Sequence, residues 1–358
     1  MDKSNSIPKV SVIMSVYNGA RYLQAAIDSI LQQTFNEFEF IIVNDASTDN
    51  SLAIICEYAK SDRRIRLVEN EENIGLTRSL NKGLGIAQGK YIARQDADDV
   101  SLPERFEKQV ATFEKHPDVV LVSCDMDVID GHSNFVRRDV RSAESMWVKW
   151  LLIFYNHIGG HSQVMFRRET ALQLGGYAND FRYSQDYEFW CRLSTAGDIV
   201  ILPDVLHNQR LHNQRITSQK RTEQLGYALD QSKVNIHHLI GEEPTTEDVN
   251  ALRKFWGGKL HGGFPEASAA RSLSSLQWDL LKAFLKRNPG EKEKNRQYSA
   301  DLKKVIGKQF VAWIASVSIF KLSERLQISS FAFSWSPLGV LKQWVRDLAS
   351  RSMKFLQP

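Results

Sequence analysis

Three carboxylates fall within four positions in Asp96-Ala97-Asp98-Asp99, directly after the strand-like run Tyr91-Ile92-Ala93-Arg94-Gln95. Like charges this close repel, and one pKa would rise unless a cation or a basic cluster neutralises them. A hard divalent cation, which takes oxygen ligands and often bridges carboxylate to phosphate, is the leading partner. Such a cation beside a diphosphate would stabilise it as a leaving group. The cluster therefore suggests a metal–diphosphate site, with a capped turn before Pro103 as the plainer alternative.

Other residues could share that chemistry. Asp45 ends the run Phe38-Glu39-Phe40-Ile41-Ile42-Val43-Asn44, where it could accept a hydrogen bond from a nucleobase or cap the following helix. Asp186 lies in Tyr183-Ser184-Gln185-Asp186-Tyr187-Glu188-Phe189-Trp190, at the first turn of an expected helix. Its aromatic surroundings could suit a general base, and helix-dipole compensation is the competing role. His212, in Arg210-Leu211-His212, is a possible metal ligand or phosphate donor. His161 and Ser162 follow Gly159-Gly160 and could line an acceptor site, or simply belong to a flexible loop. Asp99 stays open between capping the turn and binding metal through water.

These residues need a frame. Val10-Ser11-Val12-Ile13-Met14-Ser15-Val16 is β-branched and stops at Tyr17-Asn18-Gly19, as a buried first strand would. Further strands are expected at 38–43, 64–68 and 90–95, separated by helical patterns. A strand at 119–124, a hairpin over about 125–139 turning at Asp130-Gly131, a helix over 142–154 and a strand at 163–167 follow. A helix over 184–196 and a closing strand at 199–203 complete the region. Alternating strands and helices with short turns predict an α/β fold with a parallel, doubly wound sheet. Ligands then bind outside the carboxyl ends of the strands, where Tyr17, Asp45 and Asp96 to Asp99 would converge.

The chain has 358 residues, 42% hydrophobic and 25% charged, which fits a globular protein of two domains. We expect a first domain over 1–215 and a mostly helical second region over 216–358. The net charge is +4, and the basic excess belongs to the second region. Residues 338–356 set Leu341, Trp344, Val345, Leu348 and Phe355 along one helical face, with Lys342, Arg346, Arg351 and Lys354 beside them. That pattern fits a helix lying on an anionic membrane surface, or one packed on the first domain. Asn288-Pro289-Gly290-Glu291-Lys292-Glu293-Lys294 reads as a charged linker. Three separated cysteines suit a reducing compartment, and no apolar run approaches the roughly 20 residues of a spanning helix. The expectation is a cytoplasmic protein, either free or peripheral on the inner face of the membrane; nucleic acid is not among the expected partners.

Taken as a set, Val10 to Asn18, Ile41 to Asp49, Asn73-Ile74-Gly75-Leu76, Asp96-Ala97-Asp98-Asp99 with Pro103, and Gln185-Asp186 with Trp190 and Arg192 resemble glycosyltransferase family 2 over roughly residues 8–215. The resemblance implies a GT-A fold, Rossmann-like with a mostly parallel central sheet, and inverting transfer of a sugar from a nucleotide-sugar donor, most naturally a UDP-sugar. It implies that Asp45 bonds the base, that Ser15 and Tyr17 line the nucleoside, and that Asp96 lies by the ribose and diphosphate. Asp98 would bind Mn²⁺ or Mg²⁺, His212 would help hold the diphosphate or metal, and Asp186 would deprotonate the acceptor hydroxyl. Asn44 stands where the family usually has Asp, and Gln209 where it usually has Tyr. The processive members' Gln-x-x-Arg-Trp segment and transmembrane helices are not found, which favours transfer of one sugar to a saccharide or lipid-linked saccharide, as in bacterial surface polysaccharide assembly. Transfer to polyprenyl phosphate and a non-catalytic nucleotide-sugar-binding module are the alternatives.

Overall fold

The computed structural model describes residues 7–212, 220–258, 263–288, 292–317 and 321–354, with side chains left aside at 292–295 and 347–354. The expected boundary at 215/216, the Pro289-Gly290-Glu291 part of the linker and Phe355 lie outside the described residues, while Lys292 to Lys294, expected in the linker, instead begin a helix.

The chain divides into two compact units, one formed by Met1–Leu152 with Asn156–Ala228, the other by Ile153–Tyr155 with Leu229–Pro358. The first unit is built on one mixed sheet. Its strands are β1 (Val10–Val16), β2 (Phe38–Asn44), β3 (Ile65–Glu69), β4 (Tyr91–Arg94), β5 (Val100–Ser101), β6 (Val119–Ile129), β7 (Phe135–Asp139), β8 (Met165–Arg167) and β9 (Asp198–Arg210). They lie in the order β3-β2-β1-β4-β8-β6-β9-β5, with β7 paired to β6. β3, β2, β1 and β4 run parallel, while β8 runs antiparallel to both β4 and β6.

Helices α1 (Ala20–Leu31), α2 (Ser51–Ser61), α3 (Leu76–Ile86), α4 (Arg105–Lys115), α5 (Ser145–Leu152), α6 (Arg168–Gln173) and α7 (Gln185–Ala196) cover the sheet. Strand side chains alternate between faces. Val10, Val12 and Met14 join Leu23 and Ile27 of α1, Ile55 of α2 and Phe106 of α4 in one core cluster. Ile13, Ile41 and Ile92 join Leu80 of α3, Val148 of α5 and Trp190 of α7 in another. Burial on both faces is why these strands read as continuous apolar runs rather than as alternation.

The hairpin over residues 125–139 is present, fused to the preceding strand as one long β6. The closing strand differs from expectation, because β9 does not stop at Pro203 but runs on to Arg210. Its register against β6 jumps from Leu202 opposite Cys124 to Val205 opposite Asp125. Proline has no N–H to give to the ladder, and the resulting bulge lets the strand continue.

The second unit is helical. The division falls inside α8 (Arg221–Ile240), after which come α9 (Thr246–Gly257), α10 (Ala270–Arg287), α11 (Lys292–Ser316), α12 (Leu322–Ala332) and α13 (Pro337–Lys354). Thr245 caps α9 by accepting from the Asp248 N–H at 3.1 Å. Arg253 donates to the Phe154 carbonyl at 3.0 Å and to Ser232 Oγ, and Phe154 stacks on Trp256 with ring centres 5.5 Å apart. Among the described residues, no helix is long and apolar enough to cross a membrane.

Candidate active site

β1 and its two neighbours are parallel, with Val16 opposite Asn44 and Ile13 opposite Arg94. Their carboxyl ends therefore deliver Tyr17, Asp45 and Asp96 to one edge of the sheet, as the alternation of elements predicted. Tyr17 is 53% exposed there and Ser15 is half-buried. Asp45 is buried, and its carboxylate accepts from Asn70 Nδ2 at 2.8 Å, the Ile74 N–H at 2.9 Å and the Gly75 N–H at 2.9 Å. It thus ties the Asn73-Ile74-Gly75 loop to the end of β2. Gly75 begins α3 at φ +86, a conformation open to glycine and costly for most other residues. Asp45 does not cap α2. That work falls to Asp49, which accepts from the Ser51 N–H at 2.9 Å and the Ala20 N–H at 3.0 Å. Asn44, in place of a second Asp, accepts from the Ser47 N–H at 3.4 Å. Ala46, next to Asp45, has φ +55, a left-handed backbone that carries strain for a residue with a Cβ.

The three clustered carboxylates each have their own partner from this chain. Asp96 pairs with Arg94 Nη2 at 2.7 Å. Arg94 is fully buried and also donates to the Ile13 and Gln95 carbonyls. Asp99 is buried, faces His207 Nε2 at 3.2 Å and accepts from the Arg210 N–H at 2.9 Å. Asp98 meets His212 Nε2 at 2.8 Å. Arg105 lies fully buried behind them, donating to Ser101 Oγ at 2.7 Å and to the Arg94 carbonyl at 2.9 Å. Burial brings its pKa down to about 10, so the guanidinium stays charged at neutral pH. Arg94 and the buried Arg105 thus bring positive charge to the cluster from inside the protein, and hydrogen bonds hold Asp98 and Asp99. Asp99 is turned away from solvent and fastens β9 to the end of β4.

The extension of β9 beyond Pro203 is what brings His207 and Arg210 to the cluster. Arg210 also donates to the Asp98 carbonyl at 3.0 Å and to Ser133 Oγ at 2.8 Å, which fixes the β6–β7 turn over the site. Its guanidinium lies 4.7 Å from the ring centre of Tyr22, and the same ring stands 4.9 Å from that of His212. Arg94, His207 and Tyr22 were not given a role from the sequence, and Arg210 was noted only as a neighbour of His212. A charged residue inside the run Tyr91-Ile92-Ala93-Arg94 was the one available signal.

Asp186 has different surroundings. It is half-buried in the first turn of α7, and one oxygen accepts from Asn156 Nδ2 at 2.9 Å. Burial raises its pKa to about 6 and the charge of Asp96 adds to the rise, while backbone N–H groups and Asn156 oppose it. Asn156 is itself fixed, because its amide exchanges hydrogen bonds with the Gly159 carbonyl and N–H. Ser184 precedes the helix at φ +54 and donates to the Gln224 carbonyl, which sets the entry to α7.

His161 and Ser162 do not line an open acceptor face, and that expectation is corrected. His161 is 8% exposed, bonds the Tyr177 hydroxyl through Nε2 at 2.9 Å and packs edge-on to Trp190. Burial and the neighbouring Arg94 push its pKa well below the usual histidine value. Ser162 is fully buried, and its Oγ accepts from the Asp96 N–H at 3.0 Å. The two glycines let the loop fold inward, where Gln163 Nε2 donates to the Ile158 carbonyl at 2.9 Å. Both residues support the site from beneath.

For a divalent cation, Asp98 and His212 are the pair that fits. Asp98 Oδ2 and His212 Nε2 already face each other, and both side chains are only part-buried. No group of three or more His, Cys, Asp or Glu side chains among the described residues is arranged to hold an ion by itself. A Mg²⁺-type site with one or two protein ligands, completed by substrate phosphates, is compatible with that pair.

The mixed α/β sheet with its flanking helices has a GT-A-like fold. The chain belongs to glycosyltransferase family 2. The family model described as Glycosyl transferase family 2 matches residues 11–171. An uncharacterised glycosyltransferase of Haemophilus influenzae is 32% identical over 66% of this chain and 75% of its own length. The amylovoran biosynthesis glycosyltransferase AmsE of Erwinia amylovora is 33% identical over 56% of this chain and 75% of its own. In fold, the chain is similar to S. aureus TarS 1–349 in complex with UDP-GlcNAc, with a TM-score of 0.57 and 17% identity over 92% of each chain.

Proposed function

We propose that this chain is an inverting transferase moving one sugar from a nucleoside-diphosphate sugar to an acceptor hydroxyl, in the assembly of a bacterial surface polysaccharide. The polysaccharide setting is drawn from relatives such as AmsE, named for amylovoran biosynthesis. The use of a nucleotide sugar is supported by the likeness to TarS, which was solved with UDP-GlcNAc. A UDP-sugar is therefore the first donor to try, with a saccharide or lipid-linked saccharide as acceptor. The three free cysteines suit a reducing compartment, so the cytoplasm is the inferred location.

The observation that carries the reading is the Asp186 carboxyl, raised to about 6 by burial. A base is most effective when its pKa lies near the working pH, and this one is ionised at neutrality yet still able to take a proton. In the step, Asp186 takes the proton of the acceptor hydroxyl and the oxygen attacks the anomeric carbon. The bond from that carbon to the diphosphate oxygen breaks, and its electron pair leaves on the diphosphate. A single displacement of this kind inverts the anomeric centre. Tyr17 and Ser15 would line the nucleoside, Asp45 would accept from the base, and Asp96 would face the ribose and diphosphate. When bound, a Mn²⁺ or Mg²⁺ held by Asp98 and His212 would offset charge on the departing diphosphate.

The test is transfer by Asp186→Asn with a nucleotide-sugar panel and Mn²⁺. The expected result is a loss of about 10³-fold in rate, within the range for removal of a general base, with donor affinity near that of the unaltered protein. Full activity in that variant would overturn the base assignment and point to an acceptor that is already an anion, such as polyprenyl phosphate. Donor binding without transfer in the unaltered protein would leave only a binding module.

A further inference from the structure

The second unit carries an apolar strip that its own packing leaves uncovered. α12 buries Arg325, Ile328, Ser329 and Ala332, and turns out Leu322 and Leu326, which are 43% and 54% exposed. α13 buries Val340 and is held to α12 by Trp344, whose Nε1 donates to Ser329 Oγ at 3.0 Å. On its outer side Leu338, Leu341 and Val345 are 72%, 51% and 65% exposed. Their spacing of three and four residues makes one stripe. Lys342 and Arg346 are exposed and follow the stripe one step round the helix. Residues 337–346 include no carboxylate; Asp347 follows them in the sequence, and Glu324 of α12 is paired with Lys321 at 3.3 Å.

A surface that is apolar along one line and cationic along the next fits a partner that offers both an apolar interior and an anionic rim. We propose that α12 and α13 dock this protein on an anionic lipid bilayer, with the leucine and valine side chains among the acyl chains and Lys342 and Arg346 at the phosphate groups. An amphipathic helix of this composition lies in the plane of the interface rather than across it. A second copy of the chain is the poorer occupant. A two-fold contact through the same stripe would bring Lys342 and Arg346 against their own images. This assignment is independent of the transfer reaction, so its failure would leave the transferase reading untouched.

The experiment is sedimentation of the full chain with vesicles of phosphatidylcholine alone or mixed with phosphatidylglycerol. Binding to the anionic vesicles and weakening with salt are expected. Lys342→Gln with Arg346→Gln should lower the affinity about 30-fold, two contributions of about 1 kcal/mol each. Leu338→Ser with Leu341→Ser and Val345→Ser should abolish binding while donor affinity stays unchanged and the thermal midpoint moves by only a few degrees, since at least half of each residue is exposed. Equal binding to neutral and anionic vesicles, or binding that survives both sets of changes, would overturn the proposal. So would an unaltered protein that ignores vesicles but forms a dimer broken by the serine variant.

Discussion

Asp99 and Asp186 are the same residue in opposite circumstances. Asp99 is sealed among donors, with His207 on one oxygen and the Arg210 N–H on the other. Asp186 has one side-chain donor, Asn156, and a carboxyl raised to about 6. A carboxylate whose donors are built into the fold holds the fold together. A carboxylate whose burial outweighs the backbone N–H groups and the Asn156 amide that bond it stores free energy that a substrate proton can release. The difference separates the structural from the chemical acid more sharply than the clustering of charge does.

The comparison breaks first at Asp99. Asp99→Ala leaves the His207 imidazole and the Arg210 N–H without their acceptor in a buried place. The expected cost is about 3 kcal/mol of unfolding free energy, in the range for breaking buried charged hydrogen bonds. Urea unfolding at neutral pH measures it. A loss under ~1 kcal/mol would mean that Asp99 does not fasten β9 to the end of β4.

Asp186→Asn should move stability the other way. The folded pKa is above the unfolded one, so Asp186 favours folding below pH 3.8 and that contribution is lost as the pH rises through about 6. Removing the charge should stabilise the protein by up to about 3 kcal/mol at pH 8, two units at about 1.4 kcal/mol each. The gain should shrink towards pH 4. Destabilisation at pH 8 would show that Asp186, too, is a structural acid.

The convergence of strand ends was legible because it follows from topology. Apolar runs locate the parallel strands, and Tyr17, Asp45 and Asp96 follow their ends whatever the side chains do. What each acid does there was not legible, because its partners come from far along the chain. Arg210 reaches Asp99 across 111 positions, and only because β9 passes through Pro203 on a bulge. Nothing in the local pattern after Pro203 announces a continuing strand. His161 and Ser162 misled for a related reason. Gly159-Gly160 signals freedom of the backbone, and that freedom is used to turn the loop inward against Trp190 rather than out to solvent. The short α6 has six residues, too few for helical periodicity to register.

Asn156 offers the finest adjustment of the contrast. Its amide gives Asp186 a hydrogen bond that favours the charged form and lowers the carboxyl pKa against the effect of burial. If Asp186 is the base, the rate at low substrate should rise with pH through about 6 and level off, since the ionised carboxylate is the working form. Asn156→Ala removes the donor, so the midpoint should move upward, by about one unit if the bond favours the charged form by about 1.4 kcal/mol. Donor affinity should hold while the plateau rate drops modestly, because Asn156 positions the base rather than touching the sugar. Asn156→Asp would put a second carboxylate beside the first and should raise the midpoint further. A midpoint that stays put in both variants would separate the pH dependence from Asp186, and with it the chemical role that sets this residue apart from Asp99.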